Sequence, residues 1–373
     1  MDLALNEEQE IIKNSAQAFL KKECPSSLVR ELEEDEEGFS PELWRKMADL
    51  GWMGLIFPLD YGGSGGSFLD LAVLMEEMGR ALAPSWFFST VVLGAQTIMA
   101  FGTEEQKERL LPDICSGESK GTLALMDPRG SYDMRELEMT SSRDGDDFVL
   151  DGIKLFVPDA HMADWMVCVT KGKSDQSVEL FVVNKTSPGI SITPLKTISG
   201  DKLFEVKFDR VKVSQEDPLG KAEQKAEALE GILQRAALAK CAEMVGGAQI
   251  VLEMAVDYAK QRVQFNRPIG MFQAIQHHCA NMVTDLDCSR YLTYYAAWMV
   301  SEGLLCEKEI AMAKSFTSDA YINITTLGQQ IHGGTGLMDE HDMQIYFRRA
   351  KAAALTLGNA TFQRKIVARE MGL

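Results

Sequence analysis

Two strings carry the most specific chemistry in this chain of 373 residues. The first is Arg262-Val-Gln-Phe-Asn-Arg-Pro-Ile-Gly-Met-Phe-Gln273, and the second is Gln329-Gln-Ile-His-Gly-Gly-Thr-Gly336. A guanidinium fork matches a dinucleotide pyrophosphate through two parallel hydrogen bonds, and bare backbone at Gly333 and Gly334 lets a phosphate or ribose approach closely. Arg348-Arg349 forms a local basic patch that could meet another anionic group. Pro58-Leu-Asp-Tyr-Gly-Gly-Ser-Gly-Gly66 has the composition of a phosphate loop without its spacing or its lysine, and reads as a connecting loop. No metal centre is expected, because the adjacent His277-His278 cannot share one helix face.

The elements that must position these strings follow from periodicity. From Asn6 to about Gly117 the pattern is helical, with start signals at Asn6-Glu-Glu-Gln and Ser40-Pro-Glu-Leu-Trp and with Glu76-Glu77 inside a third helix. From about Thr122 to Pro218 it changes to short apolar runs: Phe148-Val-Leu, Ile153-Lys-Leu-Phe-Val, Trp165-Met-Val-Cys-Val, Leu180-Phe-Val-Val and Ile190-Ser-Ile. Turn chemistry at Asp144-Gly145, Asp151-Gly152 and Ser199-Gly200 is expected to separate several of them. Beyond Lys221 helical periodicity returns, with breaks at Arg267-Pro268, Glu302-Gly303 and Gly333-Gly334. The expected boundaries are 1-119, 120-219 and 220-373, an α+β chain without the βαβ repeat of a Rossmann fold.

The order and spacing of further strings make the chain resemble the acyl-CoA dehydrogenase family over essentially its whole length. They include Gly51-Trp-Met-Gly-Leu-Ile-Phe-Pro with Tyr61-Gly-Gly, Gly102-Thr-Glu-Glu-Gln-Lys with Leu111-Pro, Phe272-Gln273 with Gln276-His277, Tyr346-Phe-Arg-Arg-Ala-Lys351 and Gln363-Arg-Lys-Ile-Val-Ala-Arg-Glu370. The resemblance implies an N-terminal helical domain, a middle β-barrel-like domain and a C-terminal four-helix bundle. It also implies FAD, an acyl-CoA substrate, an electron-transfer flavoprotein as electron acceptor, and a homo- or hetero-tetramer. In that family Arg262, Phe265, Gln273, Gln329, Gln330, Gly333 and Gly334 correspond to residues that reach FAD across a subunit interface.

Other family positions hold different residues here. The usual catalytic glutamate precedes a glycine in the last loop, where register from Val367-Ala-Arg-Glu370 places Leu357, and leucine cannot accept a proton. The alternative base position, on the first long C-terminal helix, is Ala236 or Ala237. Glu243 lies roughly 10 Å further along that helix and is the remaining candidate for a relocated base. The flavin-ring segment reads Leu125-Met-Asp-Pro-Arg-Gly-Ser-Tyr-Asp133, with Met126, Phe156 and Pro158 at ring-contacting places; Pro158 brings neither a hydroxyl nor an amide proton. Ser131 and Arg348 are the candidate substrate contacts. The expected function is FAD-dependent α,β-desaturation of an acyl-CoA thioester, with this chain as the base-lacking subunit of a hetero-oligomer. Its rivals are an autonomous dehydrogenase with a relocated base and a non-dehydrogenating acyl-CoA flavoenzyme.

Composition sets outer limits. A formal net charge of -17 argues against a nucleic-acid or anionic-membrane surface. The start Met1-Asp-Leu-Ala-Leu-Asn-Glu-Glu-Gln-Glu10 lacks a secretion signal and no run is long enough to span a bilayer, so a cytoplasmic location is expected. Seven cysteines without CxxC spacing suit reduced thiols better than a disulfide framework, and 20 methionines suit adaptable core packing.

Overall fold

The computed structural model describes residues 5–84, 86–174, 176–220 and 225–373. The N-terminal helices are α1 (Glu7–Glu23), α2 (Ser26–Glu34), α3 (Pro41–Asp49), α4 (Phe68–Arg80), α5 (Gln96–Phe101) and α6 (Glu104–Cys115). Seven strands follow: β1 (Gly121–Ala124), β2 (Thr140–Asp144), β3 (Asp147–Pro158), β4 (Trp165–Gly172), β5 (Val178–Asn184), β6 (Ile190–Leu195) and β7 (Leu203–Val213). The C-terminal part holds α7 (Lys225–Gln261), a small hairpin of β8 (Val263–Gln264) and β9 (Arg267–Pro268), then α8 (Gln273–Ser301), α9 (Glu307–His332), α10 (Asp342–Leu355) and α11 (Ala360–Glu370). The expected restart of helix at Lys221 lies outside the described residues, as do the first four residues of the chain. No helix among the described residues is long and apolar enough to cross a membrane.

Two compact units partition the chain, one built from Met1–Arg30, Ser67–Ala83 and Gln234–Leu373, the other from Glu31–Gly66 and Pro84–Leu233. In the first, α1 starts where Asn6 and Gln9 form a reciprocal capping box, with the Asn6 side chain accepting from the Gln9 amide at 2.8 Å. Helices α4 and α7 cross in direct backbone contact. A Cβ on Gly79 would stand 1.9 Å from the Glu243 carbonyl oxygen, and one on Gly246 would stand 1.8 Å from that of Glu76. Only glycine at both crossings allows this approach.

A polar layer runs through the same unit. Glu76 and Glu77 of α4 are 7% and 3% exposed, and each keeps one carboxylate oxygen without a hydrogen-bond partner. Arg290 of α8 reaches Glu76 at 3.2 Å and the Gln249 side chain at 2.8 Å, while Arg80 pairs with Glu253. Burial and the neighbouring Glu76 push the Glu77 carboxyl up to about 7.

In the second unit, Ser40 caps α3 by accepting from the Leu43 amide, with Pro41 in the first turn. Residues Phe88–Ala95 form a π-helix, which the sequence pattern did not distinguish from an ordinary helix. The seven strands make one curled sheet in the order β1-β4-β2-β3-β7-β6, with β5 also paired to β4. Phe148, Phe181, Phe204, Phe208, Met139 and Met166 fill its core.

Two sequence expectations need correction here. Asp151-Gly152 does not turn the chain: the two runs it was expected to separate belong to one twelve-residue strand, β3. Gly152 instead sits at a β-bulge against β7, with φ 148° and Met139 against the place a Cβ would take. The strand β7, whose polar and apolar residues alternate over Leu203–Val213, was missed because charged residues occupy its outward positions. The turn at Asp144-Gly145 does join β2 to β3.

Candidate functional site

The first of the two strings begins where α7 ends, and the Arg262 amide still donates to the Tyr258 carbonyl at 2.8 Å. The hairpin β8–β9 turns at Phe265 and Asn266, both left-handed, with φ 53° and 59°. Two successive positive φ values describe a type I′ turn, which favours asparagine and glycine, so a phenylalanine here is held at a conformational cost. The result is a ring 86% exposed to solvent. The Arg267 guanidinium lies 4.1 Å from the Phe272 ring centroid, and Gln273 is exposed at the start of α8.

The second string closes α9. Gly333 has φ 61° and donates its amide to the Gln329 carbonyl, and neither Gly333 nor Gly334 has any atom within 4 Å of where a Cβ would stand. Gln330 is exposed and Gln329 half-buried. The Tyr258 ring stacks on His332 with centroids 4.5 Å apart, so the ends of α7 and α9 meet and the two strings share one end of the unit. Arg262 is exposed there with no ion pair among the described residues. An exposed guanidinium, an outward aromatic ring and uncovered glycine backbone together fit an elongated phosphate-bearing ligand.

Leu357 occupies an elbow between α10 and α11. It is left-handed, with φ 58°, and is followed by Gly358 at φ 92° and by Asn359, whose side chain caps α11 by accepting from the Phe362 amide at 2.9 Å. Placing leucine in the left-handed region costs about 1–2 kcal/mol, so the surroundings must hold it. Gln363 donates its side-chain amide to the Leu357 carbonyl at 2.9 Å. Lys314 of α9, fully buried, donates to the Ala353 and Ala354 carbonyls at 3.0 and 3.3 Å and to the Ser318 hydroxyl at 3.0 Å. Its ammonium thereby meets the carbonyls left open at the end of α10. Burial holds Lys314 down to about 8.

Leu357 is itself only 7% exposed, and Ala236 and Ala237 are buried in α7. Glu243 is bound by Lys240 at 2.6 Å, one turn away on the same helix. Arg348 is half-buried and donates to the Gln344 side chain at 2.7 Å, whereas Arg349 donates to the Leu82 carbonyl at 2.8 Å and braces the end of α4.

The ring segment lies in the other unit. The Leu155 amide donates to the Met126 carbonyl at 2.7 Å, tying β3 to the end of β1. Beneath it, Lys154 and Asp127 form a sealed ion pair at 2.7 Å, with side chains 0% and 4% exposed. Lys154 also donates to the Leu125 carbonyl at 2.8 Å, and Asp127 accepts from the Glu138 amide at 2.8 Å. A buried ion pair in which each partner also holds a backbone group fixes the loop. Phe156, at a second irregularity of β3, has φ 54° and is 51% exposed. The Pro158 carbonyl accepts from Thr122 at 2.7 Å, and the Ser131 hydroxyl accepts from the Asp133 amide at 3.1 Å, which turns Ser131 towards its own loop.

Residues 6–118, 122–211 and 226–372 match the N-terminal, middle and C-terminal domains of acyl-CoA dehydrogenase. The chain is 31% identical to the probable acyl-CoA dehydrogenase YngJ of Bacillus subtilis, covering 100% of both sequences. This chain belongs to the acyl-CoA dehydrogenase family. It is also 31% identical to the acryloyl-CoA reductase (NADH) of Anaerotignum propionicum, covering 100% of this chain and 96% of that one. Among solved structures, the ChsE4-ChsE5 complex from Mycobacterium tuberculosis superposes with a TM-score of 0.92 at 26% identity, over 100% of this chain and 99% of that one.

Members of the acyl-CoA dehydrogenase family are FAD flavoproteins, and the open edge at Arg262 and Gly333-Gly334 fits the phosphate-bearing part of that cofactor. Sequence reasoning missed the residues that support these sites. Lys314 offered a signal, since it recurs with Ile310, Thr317, Ser318 and Tyr321 on the buried face of α9. Asp127 and Lys154 gave none, being far apart in sequence.

Proposed function

We propose that this chain is a subunit of an acyl-CoA-oxidising or enoyl-CoA-reducing flavoprotein that contributes FAD contacts to a partner subunit and lacks its own proton acceptor. The observation that carries the reading is Leu357: the elbow that should present a base is built and braced, yet it presents a buried hydrocarbon. Bound FAD would supply the hydride acceptor or donor for the β-carbon of the thioester. Arg262 would pair with the pyrophosphate, Phe265 would lie against the far end of the cofactor with Gln273, Gln329 and Gln330 beside it, and Gly333-Gly334 would admit it closely. Met126, Phe156 and Pro158 would bound the ring from the β unit with less hydrogen bonding than a threonine at residue 158 would offer. Ser131 is the proposed substrate contact of the β unit, and Arg348 that of the C-terminal helices.

Membership of a family with both dehydrogenase and reductase relatives supports the reaction class, and the two-protein ChsE4-ChsE5 relative supports a hetero-oligomer. An electron-transfer flavoprotein is the electron partner that the family resemblance suggests. Purification with and without a co-expressed homologue, followed by the visible flavin spectrum, tests the reading. Colourless protein that turns yellow only with its partner is the expected outcome, and Arg262→Ala should then lower flavin occupancy of the complex. A yellow homo-oligomer whose flavin is rapidly bleached by an acyl-CoA would overturn it and return Glu243 or another acid to the role of base.

A further inference from the structure

The family strings account for the residues that face a cofactor, but not for what holds the two strings together. Tyr258 lies one helical turn before Arg262, and His332 immediately precedes Gly333. Their rings are 4.5 Å apart at an interplanar angle of 26°, and His332 is 4% exposed. His332 Nδ1 lies 2.8 Å from the Gly328 carbonyl, so in the neutral ring this nitrogen carries the proton. His341 stands edge-on to His332 at 4.9 Å, and its Nδ1 accepts from the Met343 amide at the start of α10. His341 is flanked in sequence by Asp339, Glu340 and Asp342, of which Asp342 is joined to Arg30 at 2.5 Å. No carboxylate among the described residues is shown paired with either imidazole.

We propose that Tyr258 and His332 are positioning residues that lock the ends of α7 and α9 into one FAD-contacting edge, and that protonation of His332 loosens this lock. The inference rests on the proposed FAD contact at Arg262 and Gly333-Gly334. A neutral imidazole stacks on the tyrosine ring and fixes the backbone entering Gly333 through Gly328. A positive charge on His332 would be held at 4% exposure with no carboxylate hydrogen-bonded to its ring, and the stack would lose its reason to stay closed. Burial and His341 hold His332 below the ordinary imidazole range, so the ring is neutral at neutral pH and charges only on acidification.

The test is the FAD dissociation constant of the flavin-loaded oligomer, purified with its homologue if it carries one, read by the fluorescence of released flavin between pH 8 and pH 5.5. The wild-type constant should rise by about tenfold or more towards the acid end, a change typical of losing a group that orients a contact residue. His332→Asn keeps a donor for Gly328 but cannot titrate, and should flatten the profile. Tyr258→Leu should weaken binding about tenfold already at pH 8, and Tyr258→Phe should behave as wild type. A wild-type constant that does not change with pH overturns the switch, with no variant needed. Wild-type affinity in Tyr258→Leu overturns the positioning role. If Arg262→Ala loses flavin while both variants match wild type, the proposed function stands and this inference falls; if Arg262→Ala itself keeps full affinity, the proposed FAD contact fails first.

Discussion

Glu77→Gln should stabilise this protein at pH 8 and leave it unchanged near pH 4.5. The carboxyl sits 3% exposed on α4 with one oxygen unpartnered, and burial together with Glu76 raises it from 4.5 to about 7 against the pull of Arg80 and Lys13. The folded state therefore holds this proton more tightly than the unfolded chain does. Below the unfolded value both states are protonated and the group costs nothing extra. As pH rises through the window from about 4.5 to about 7 the unfolded chain releases the proton first, and stability falls. At about 1.4 kcal/mol per pH unit, the loss reaches roughly 3 kcal/mol once the folded carboxyl has ionised. Glutamine has nearly the same shape and no charge, so it removes that loss. Denaturant unfolding of wild type and variant at pH 5 and pH 8 measures the difference, which should be small at the acid value and approach roughly 3 kcal/mol at the alkaline one. An equal effect at both pH values, or a variant less stable at pH 8, would refute the argument that Glu77 is a strained buried acid.

Three other outcomes follow from packing and from the elbow. Leu357→Glu should create measurable acyl-CoA turnover in the flavin-loaded complex, because a positioned general base contributes about 10²–10⁴-fold; steady-state assays showing none would place further defects at Met126 and Pro158. Lys314→Met should destabilise the fold by roughly 2–4 kcal/mol, since the Ala353 and Ala354 carbonyls and the Ser318 hydroxyl lose their common donor, as calorimetry or chemical denaturation would show. Gly79→Ala should cost about 1–3 kcal/mol or more, because its methyl would meet the Glu243 carbonyl 1.9 Å away; an unchanged melting temperature would contradict the backbone contact between α4 and α7.

The chain's order of helices, strands and helices was legible from periodicity and turn chemistry, because both are local. Asn6 and Ser40 mark helix starts by hydrogen bonds that close within four residues, and Asp144-Gly145 marks a hairpin for the same reason. Leu357 stands at the base position only through register with the resembling family, although its lack of a proton acceptor is a property of the residue type. The tertiary structure decided everything that depends on partners distant along the chain. Asp151-Gly152 looked like a turn until β7 was seen pairing across it as a bulge. Lys154 and Asp127 are 27 positions apart, and only the fold seals them into an ion pair under the Met126 segment. Lys314 reads as one more helix lysine until α10 ends above it and offers two carbonyls. Tyr258 and His332 meet only because α7 and α9 end at the same place, and no local pattern records which helix ends are neighbours.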